Sequence, residues 1–301
     1  MDIKEQFVVG GCLPQKKDKR DWKIDKLLPL RAVQLPREFL PIYENDFTYN
    51  QGRSSECCAC AYAYYRHLQE MDRDEQSGFT EPFSPSFTYA NRDGNENFEG
   101  MYLRSCLKRS KLGTLPWKYF PNFYSLSKCQ DIFNKNKIRF YTLAYPFRTS
   151  SFYTVNTEEE FKTAIYLTKG VMIGIMVTDA FYYPNEEGII EYPNCQEKEY
   201  GGHAMLADGY KYIDGELYIR IKNSWGDSWG TEHGHCYMSF KDYQLHTIDE
   251  GYVVVDEIKE QEITCAYPKT RLKAFIDDLI YKIKDFIYTK HKTSLKDKQT
   301  L

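Results

Sequence analysis

An α+β fold is the class this 301-residue sequence predicts. Helical patterns mark residues 57–71, 100–111 and 158–169. After them come short runs rich in β-branched and aromatic residues, separated by turns. Strands and helices do not alternate regularly, which argues against a doubly wound parallel sheet.

The composition fits a globular chain. Apolar residues make up 42% and charged residues 28%, enough for a sizeable core. Forty basic against 43 acidic residues give a net charge of −3, so no nucleic-acid partner is expected. The start, Met1-Asp2-Ile3-Lys4-Glu5-Gln6, lacks the apolar stretch of a signal peptide. No run reaches the ~18 apolar residues of a spanning helix. Nine cysteines, two of them adjacent at Cys57 and Cys58, read as mostly reduced thiols. The expected location is cytoplasmic or another reducing compartment. The Lys/Asn/Ile-rich texture with 26 tyrosines hints at a microbe or large virus, and a virion location is compatible with it.

Residues 1–30 read as a leader or short propeptide-like segment. Gln15-Lys16-Lys17-Asp18-Lys19-Arg20-Asp21 is too polar for a core, and a helical turn is expected near Ile24–Leu28. This leader is expected to wrap the surface or lie in cis over a cleft. A main domain follows over 31–268. Its helical lobe covers about 45–150, and its sheet lobe about 151–258 together with 31–44. Ala59, Ala61 and Ala63 favour the first helix, with Ser54 or Ser55 as its cap and Glu56 in its first turn. Phe79–Ser86 reads as a loop. Thr157 with Glu160 forms a capping box before the third helix. Val171–Val177, Gly188–Tyr192, His203–Tyr210, Glu216–Lys222, Gly234–Ser239 and Tyr252–Glu257 read as strands, with Asp214-Gly215 turning one pair.

Residues 269–290 place Leu272, Phe275, Ile276, Leu279, Ile280, Ile283, Phe286 and Ile287 at steps of three and four, an amphipathic helix. It is expected to pack within the chain or on another chain; an anionic membrane surface is the less favoured partner. A basic tail, 291–301, follows.

The unusual residues fall in three blocks. In Gln51-Gly52-Arg53-Ser54-Ser55-Glu56-Cys57-Cys58, the thiol of Cys57 sits at a helix N-terminus. Unpaired amides and the helix dipole there favour a thiolate, although a buried inert thiol is the plainer reading. In Gly201-Gly202-His203-Ala204, the histidine opens an apolar strand. Asn223-Ser224-Trp225-Gly226 ends another, and an asparagine oxygen can orient an imidazole without adding negative charge. His233, His235 and Cys236 form a local N/S cluster, but strand alternation puts Cys236 on the other face from the two histidines. No metal site and no cofactor is expected.

These blocks resemble the papain-like, cathepsin-like cysteine proteases. Cys57 precedes His203 by 146 residues and Asn223 by 166, against about 130–150 for that family. Gln51-Gly52 stands at the matching offset before Cys57, and Asn223-Ser224-Trp225-Gly226 followed by Trp229-Gly230 and Gly234 is the most specific match. The likeness runs from about residue 33 to 258. It implies a two-lobe fold with a helical N-terminal lobe, an antiparallel-sheet or barrel C-terminal lobe and an active-site cleft between them. It further implies that Cys57 is the nucleophile, His203 the general base and then acid, Asn223 its orienter, Trp225 the shield of that bond and Gln51 an oxyanion donor. Gly100, Met101, Tyr102 and Gly202 become the substrate-binding residues, and the substrates peptides or proteins.

Three departures stand out. Cys58 replaces a tryptophan, Ser54 stands where the family has a disulfide cysteine, and Glu56 could oppose ionisation of Cys57. A Cys12–Cys57 disulfide cap is one further possibility. The resemblance implies a thiol endopeptidase working through a thioester. A catalytically impaired binding or structural relative is the alternative, and a thiol acyltransferase a third reading.

Overall fold

The computed structural model describes residues 3–26, 34–42, 47–73, 81–92, 98–122, 125–193, 195–231 and 233–256. The expected amphipathic helix at 269–290 and the basic tail lie outside them. No helix among the described residues is long and apolar enough to cross a membrane.

The first half is helical: α1 (Ile3–Gln6), α2 (Cys57–Arg73), α3 (Pro85–Ala90), α4 (Leu103–Ser110), α5 (Leu126–Lys135) and α6 (Lys137–Ala144). The second half is β1 (Thr149–Val155), α7 (Glu158–Thr168), β2 (Val171–Val177), α8 (Asp179–Tyr182), β3 (Gly201–Ile213), β4 (Glu216–Lys222), β5 (His235–Ser239), α9 (Phe240–His246) and β6 (Gly251–Asp256). Local chemistry sets several boundaries. Ser84 caps α3 by accepting the Phe87 amide, with Pro85 at its first position. Thr157 and Glu160 form the full capping box of α7. Asp214 and Gly215, both at positive φ, turn β3 into β4.

The six strands form one antiparallel sheet in the order β1-β6-β2-β3-β4-β5. The sheet is open, which corrects the expectation of a possible barrel. Two further expectations change. Gly188–Tyr192 contributes one isolated bridge, Ile189 to Tyr237, rather than a strand. The end of the expected 79–86 loop is the first turn of α3.

Both faces of the sheet are buried, and side-chain alternation divides them. Ile173, Ile175, Met205, Ala207, Val253 and Val255 pack in one core with residues of α7 and α9. Met172, Ala204, Leu206, Tyr252 and Val254 face a second core built around α2. The long strand β3 therefore runs between the two, and α2 packs against it. Cys57 begins α2 and His203 lies near the start of β3, so the helix–sheet contact that organises the fold also sets those two residues side by side.

The leader is part of this body. Phe7 and Ile24 are buried in the sheet-side core and Cys12 in the helical one. Lys4 pairs with Asp179, Gln15 reaches Asp249, Asp21 pairs with Arg104 at 2.6 Å and Lys23 bridges to Thr154 on β1.

Candidate active site

The three sequence blocks converge. An Asn50–Trp225 bridge ties the loop before α2 to the segment after β4, with Gln51 donating its amide to Ser224 O at 2.8 Å and Gly226 donating to Tyr49 O at 2.9 Å. The Gln51 side chain is fully buried: Oε1 accepts from Ser224 Oγ at 2.5 Å, and Nε2 donates to Ser54 O at 2.8 Å and towards Val8 O of the leader at 3.5 Å.

On the sheet side, His203 Nε2 lies 2.7 Å from Asn223 Oδ1, which also accepts the Ser224 amide at 2.7 Å. Trp225 covers this pair. Its ring is fully buried and lies 5.0 Å from the imidazole, with Phe181, Tyr182 and Trp229 packed around it. Phe7 of the leader stacks on the Trp225 ring at 5.0 Å, nearly parallel. A hydrogen bond so enclosed is shielded from competing water.

Bonding Nε2 to Asn223 turns the other ring nitrogen, Nδ1, toward the helical wall. Nδ1 has no hydrogen-bond partner among the described residues, and the imidazole acts on the ionisation of the Cys57 thiol. Burial alone would push that thiol up. The neighbouring Cys58 and the imidazole of His203 outweigh burial, holding Cys57 well below its ordinary value. The N-terminus of a 17-residue helix acts in the same direction.

Glu56 is the departure from expectation. It precedes α2, accepting the Cys60 amide through its carbonyl, and its side chain is buried beside Ser86 Oγ at 3.1 Å. Burial pushes it up to about 7 against hydrogen bonds from Ser86 and Ser54. The carboxyl is therefore largely neutral through mildly acidic pH, and its opposition to a Cys57 thiolate is weaker there than the sequence suggests.

Between the walls runs the leader. Gly10 and Cys12 donate their amides to Gly202 O at 2.9 and 3.1 Å, while Met101 donates to Gly11 O at 2.8 Å and Leu13 to Met101 O at 3.0 Å. The last two make a parallel bridge between Cys12 and Met101. Such close passage needs missing side chains on both surfaces. A Cβ on Gly11 would lie 2.7 Å from Ser55 O and 3.0 Å from Cys57 Sγ, and one on Gly202 would lie 2.2 Å from Cys12 O.

Of the four residues expected to bind substrate, Met101 and Gly202 thus pair with the leader backbone. Gly100 lines its path but gives its amide to the Tyr89 hydroxyl, and Tyr102 opens α4. The slot that takes the Cys12 side chain includes Ile248, within the His246–Glu250 stretch where the resemblance loosely places the base of the main specificity pocket. It lies between Gly174, Leu103 and Ile248, with Asp249 nearby, bonded by Gln15 and Tyr252. The two histidines beside Cys236 part company: His235 Nε2 lies 3.0 Å from Asp208 Oδ2, while His233 occupies a turn at positive φ.

Fold and site bring a cysteine at a helix N-terminus against a histidine–asparagine pair at the sheet, the arrangement of the cysteine-protease class. The sequence profile described as papain family cysteine protease matches residues 50–255, and the chain belongs to that family. An uncharacterised peptidase C1-like protein of Acanthamoeba polyphaga mimivirus is 25% identical over 249 residues, 79% of this chain and 76% of that protein. Pro-cathepsin H of Medicago truncatula is 36% identical over 86 residues, 28% of this chain and only 24% of that protein. Among solved structures, xylellain, a cysteine protease from Xylella fastidiosa, superposes with a TM-score of 0.69 at 24% identity, covering 83% of this chain and 97% of its own. The procathepsin B S9 of Trypanosoma congolense gives 0.63 at 15% identity over 82% and 86%. At these identities the structural matches speak for the fold.

Proposed function

We propose that the protein is a thiol endopeptidase, held in the described state by its own leader. The observation that carries this reading is the His203 ring: Nε2 bound to Asn223 Oδ1, Nδ1 left for a low-lying Cys57 thiol. A buried structural histidine has no need of one unspent nitrogen facing a sulfur.

In this reading the Cys57 thiolate attacks the scissile carbonyl carbon. The oxyanion takes hydrogen bonds from the Cys57 backbone amide and Gln51 Nε2, whose direction Ser224 fixes through Oε1. Protonated His203 gives its proton to the leaving amine, and a thioester forms. Neutral His203 then takes a proton from water, which attacks the thioester and frees Cys57. Asn223 holds the ring at both stages. Substrate backbone would replace the leader at Met101 and Gly202.

The test is intact mass after incubation with an epoxysuccinyl inhibitor. One adduct, absent from Cys57→Ala, is expected. No adduct on folded protein, even with the leader displaced, would favour the impaired binding protein instead. Gly11→Ala supplies that displacement. Its Cβ cannot fit against Ser55 O, so labelling of Cys57 should speed up by about tenfold or more, equivalent to a loss of ~1.4 kcal/mol or more in leader seating. Unchanged labelling would mean that the leader does not limit access.

A further inference from the structure

The leader does more than occupy space beside Cys57, because it brings in another thiol. Cys12 is buried, and its Sγ lies against Gly174, where a Cβ would be 3.0 Å away. Cys12, Cys57 and Cys58 lie in one buried cluster, where Cys12 and Cys58 act on each other's ionisation. Cys58 Sγ further lies 3.3 Å from Met101 O. Met101 is the residue that pairs with the leader on either side of Cys12. One backbone residue thus aligns the two cysteines. Cys12 and Cys58 are free thiols here, one on the body and one on a segment that must leave before substrate can enter.

We propose that Cys12 and Cys58 form a disulfide under peroxide, latching the leader into the cleft. When the leader lifts, Cys12 is exposed and its thiolate attacks hydrogen peroxide. The O–O bond breaks, giving a sulfenic acid at Cys12 and hydroxide, which takes up the thiol's proton as water. As the leader reseats, Cys58 sulfur attacks the Cys12 sulfur. Its proton goes to the departing hydroxyl, which leaves as a second water. Two thiols lose two electrons, and one peroxide becomes two waters.

Geometry selects this pair over the others. Cys57 and Cys58 are consecutive, so their Cα atoms are ~3.8 Å apart, short of the usual ~4.4–6.8 Å of a disulfide. The leader residue facing Cys57 Sγ is Gly11, not Cys12. The exposed run Lys16-Lys17 and Lys19-Arg20 follows the latch. A cut there would free the leader of a reduced molecule and leave that of an oxidised one attached. The disulfide itself does not depend on activity at Cys57; its consequence, a locked peptidase, rests on the function proposed above.

The experiment treats the full chain with dilute hydrogen peroxide, alkylates free thiols and maps the peptides without reduction. A Cys12–Cys58 cross-link is expected in the wild type and equally in Cys57→Ala. Epoxysuccinyl labelling of the wild type should fall by about 10²-fold or more, within the range tethering gives, and return with dithiothreitol. Cys12→Ser should show no such reductant-dependent recovery. Cys12 recovered alkylated, as a sulfinic acid or joined to any other cysteine would overturn the proposal. A Cys12–Cys58 link in a protein that never takes the epoxide would uphold the latch and remove the peptidase reading instead.

Discussion

Two buried histidines, 32 residues apart in sequence, have been given opposite partners. His235 Nε2 meets a carboxylate, Asp208 Oδ2 at 3.0 Å, whose other oxygen accepts from Arg220 Nε at 2.9 Å. His203 Nε2 meets a neutral amide oxygen, Asn223 Oδ1 at 2.7 Å. A carboxylate between two basic groups makes a closed, charge-balanced knot on β3, β4 and β5. Its carboxyl, which burial alone would push up, is held well below the usual range by Arg220 and His235. An amide partner fixes the ring's orientation and leaves its charge free to balance something else, here the thiol of Cys57. The partner, more than the histidine, separates a structural ring from a reactive one.

The largest expected effects break this comparison from each side. His203→Ala should cut the labelling rate of Cys57 by about 10³-fold or more, since thiol activation and proton transfer share that ring, while thermal unfolding changes far less. Asp208→Asn should do the reverse. It leaves Arg220 without its buried counter-charge, a change worth about 3–5 kcal/mol, with little effect on labelling of the protein that remains folded. Calorimetry and labelling kinetics on both variants would check the contrast. Comparable loss of both properties in either variant would merge the two roles.

A gentler exchange makes His203 resemble His235. Asn223→Asp puts a carboxylate beside the imidazole and favours its protonated form. The thiolate–imidazolium pair should then persist to higher pH, moving the alkaline limb of the labelling profile upward by about one unit, equivalent to ~1.4 kcal/mol. A limb that stays in place would show that Asn223 acts only by position.

How much of this was legible follows from what each residue depends on. Cys57, His203 and Asn223 stand in blocks dense with Gly and Trp, and the blocks are distinctive because backbone approach and ring shielding leave little choice of residue. The Val171–Val177 strand and the α7 capping box are local patterns, and both could be read directly. Helices α5 and α6 were missed, although Cys129, Phe133, Phe140 and Ala144 fall at helical spacing. They bury one narrow stripe against Phe87, and the Lys- and Asn-rich remainder hides it. Cys12 against Cys58 and Gln15 against Asp249 join residues 46 and 234 apart. No spacing rule predicts them, because only the seated leader brings them together.

Glu56 sharpens the comparison from the carboxylate's side. Like Asp208 it is buried, but it has Ser86 and Ser54 where Asp208 has Arg220 and His235. The signs are therefore opposite. Asp208, held down, contributes stability above its ordinary value of 3.8 that is lost as pH falls further. Glu56, raised from 4.5 to about 7, contributes stability that is complete below 4.5 and is lost as pH rises through 7. The loss amounts to roughly 3 kcal/mol by pH 8. Glu56→Gln cannot ionise and can still bond Ser86. It should unfold at a higher temperature than the wild type at pH 8, with the advantage shrinking to nothing near pH 4.5. An advantage independent of pH would mean that the substitution improves packing rather than removing a charge, and Glu56 would then have to be ionised, and balanced, at neutral pH.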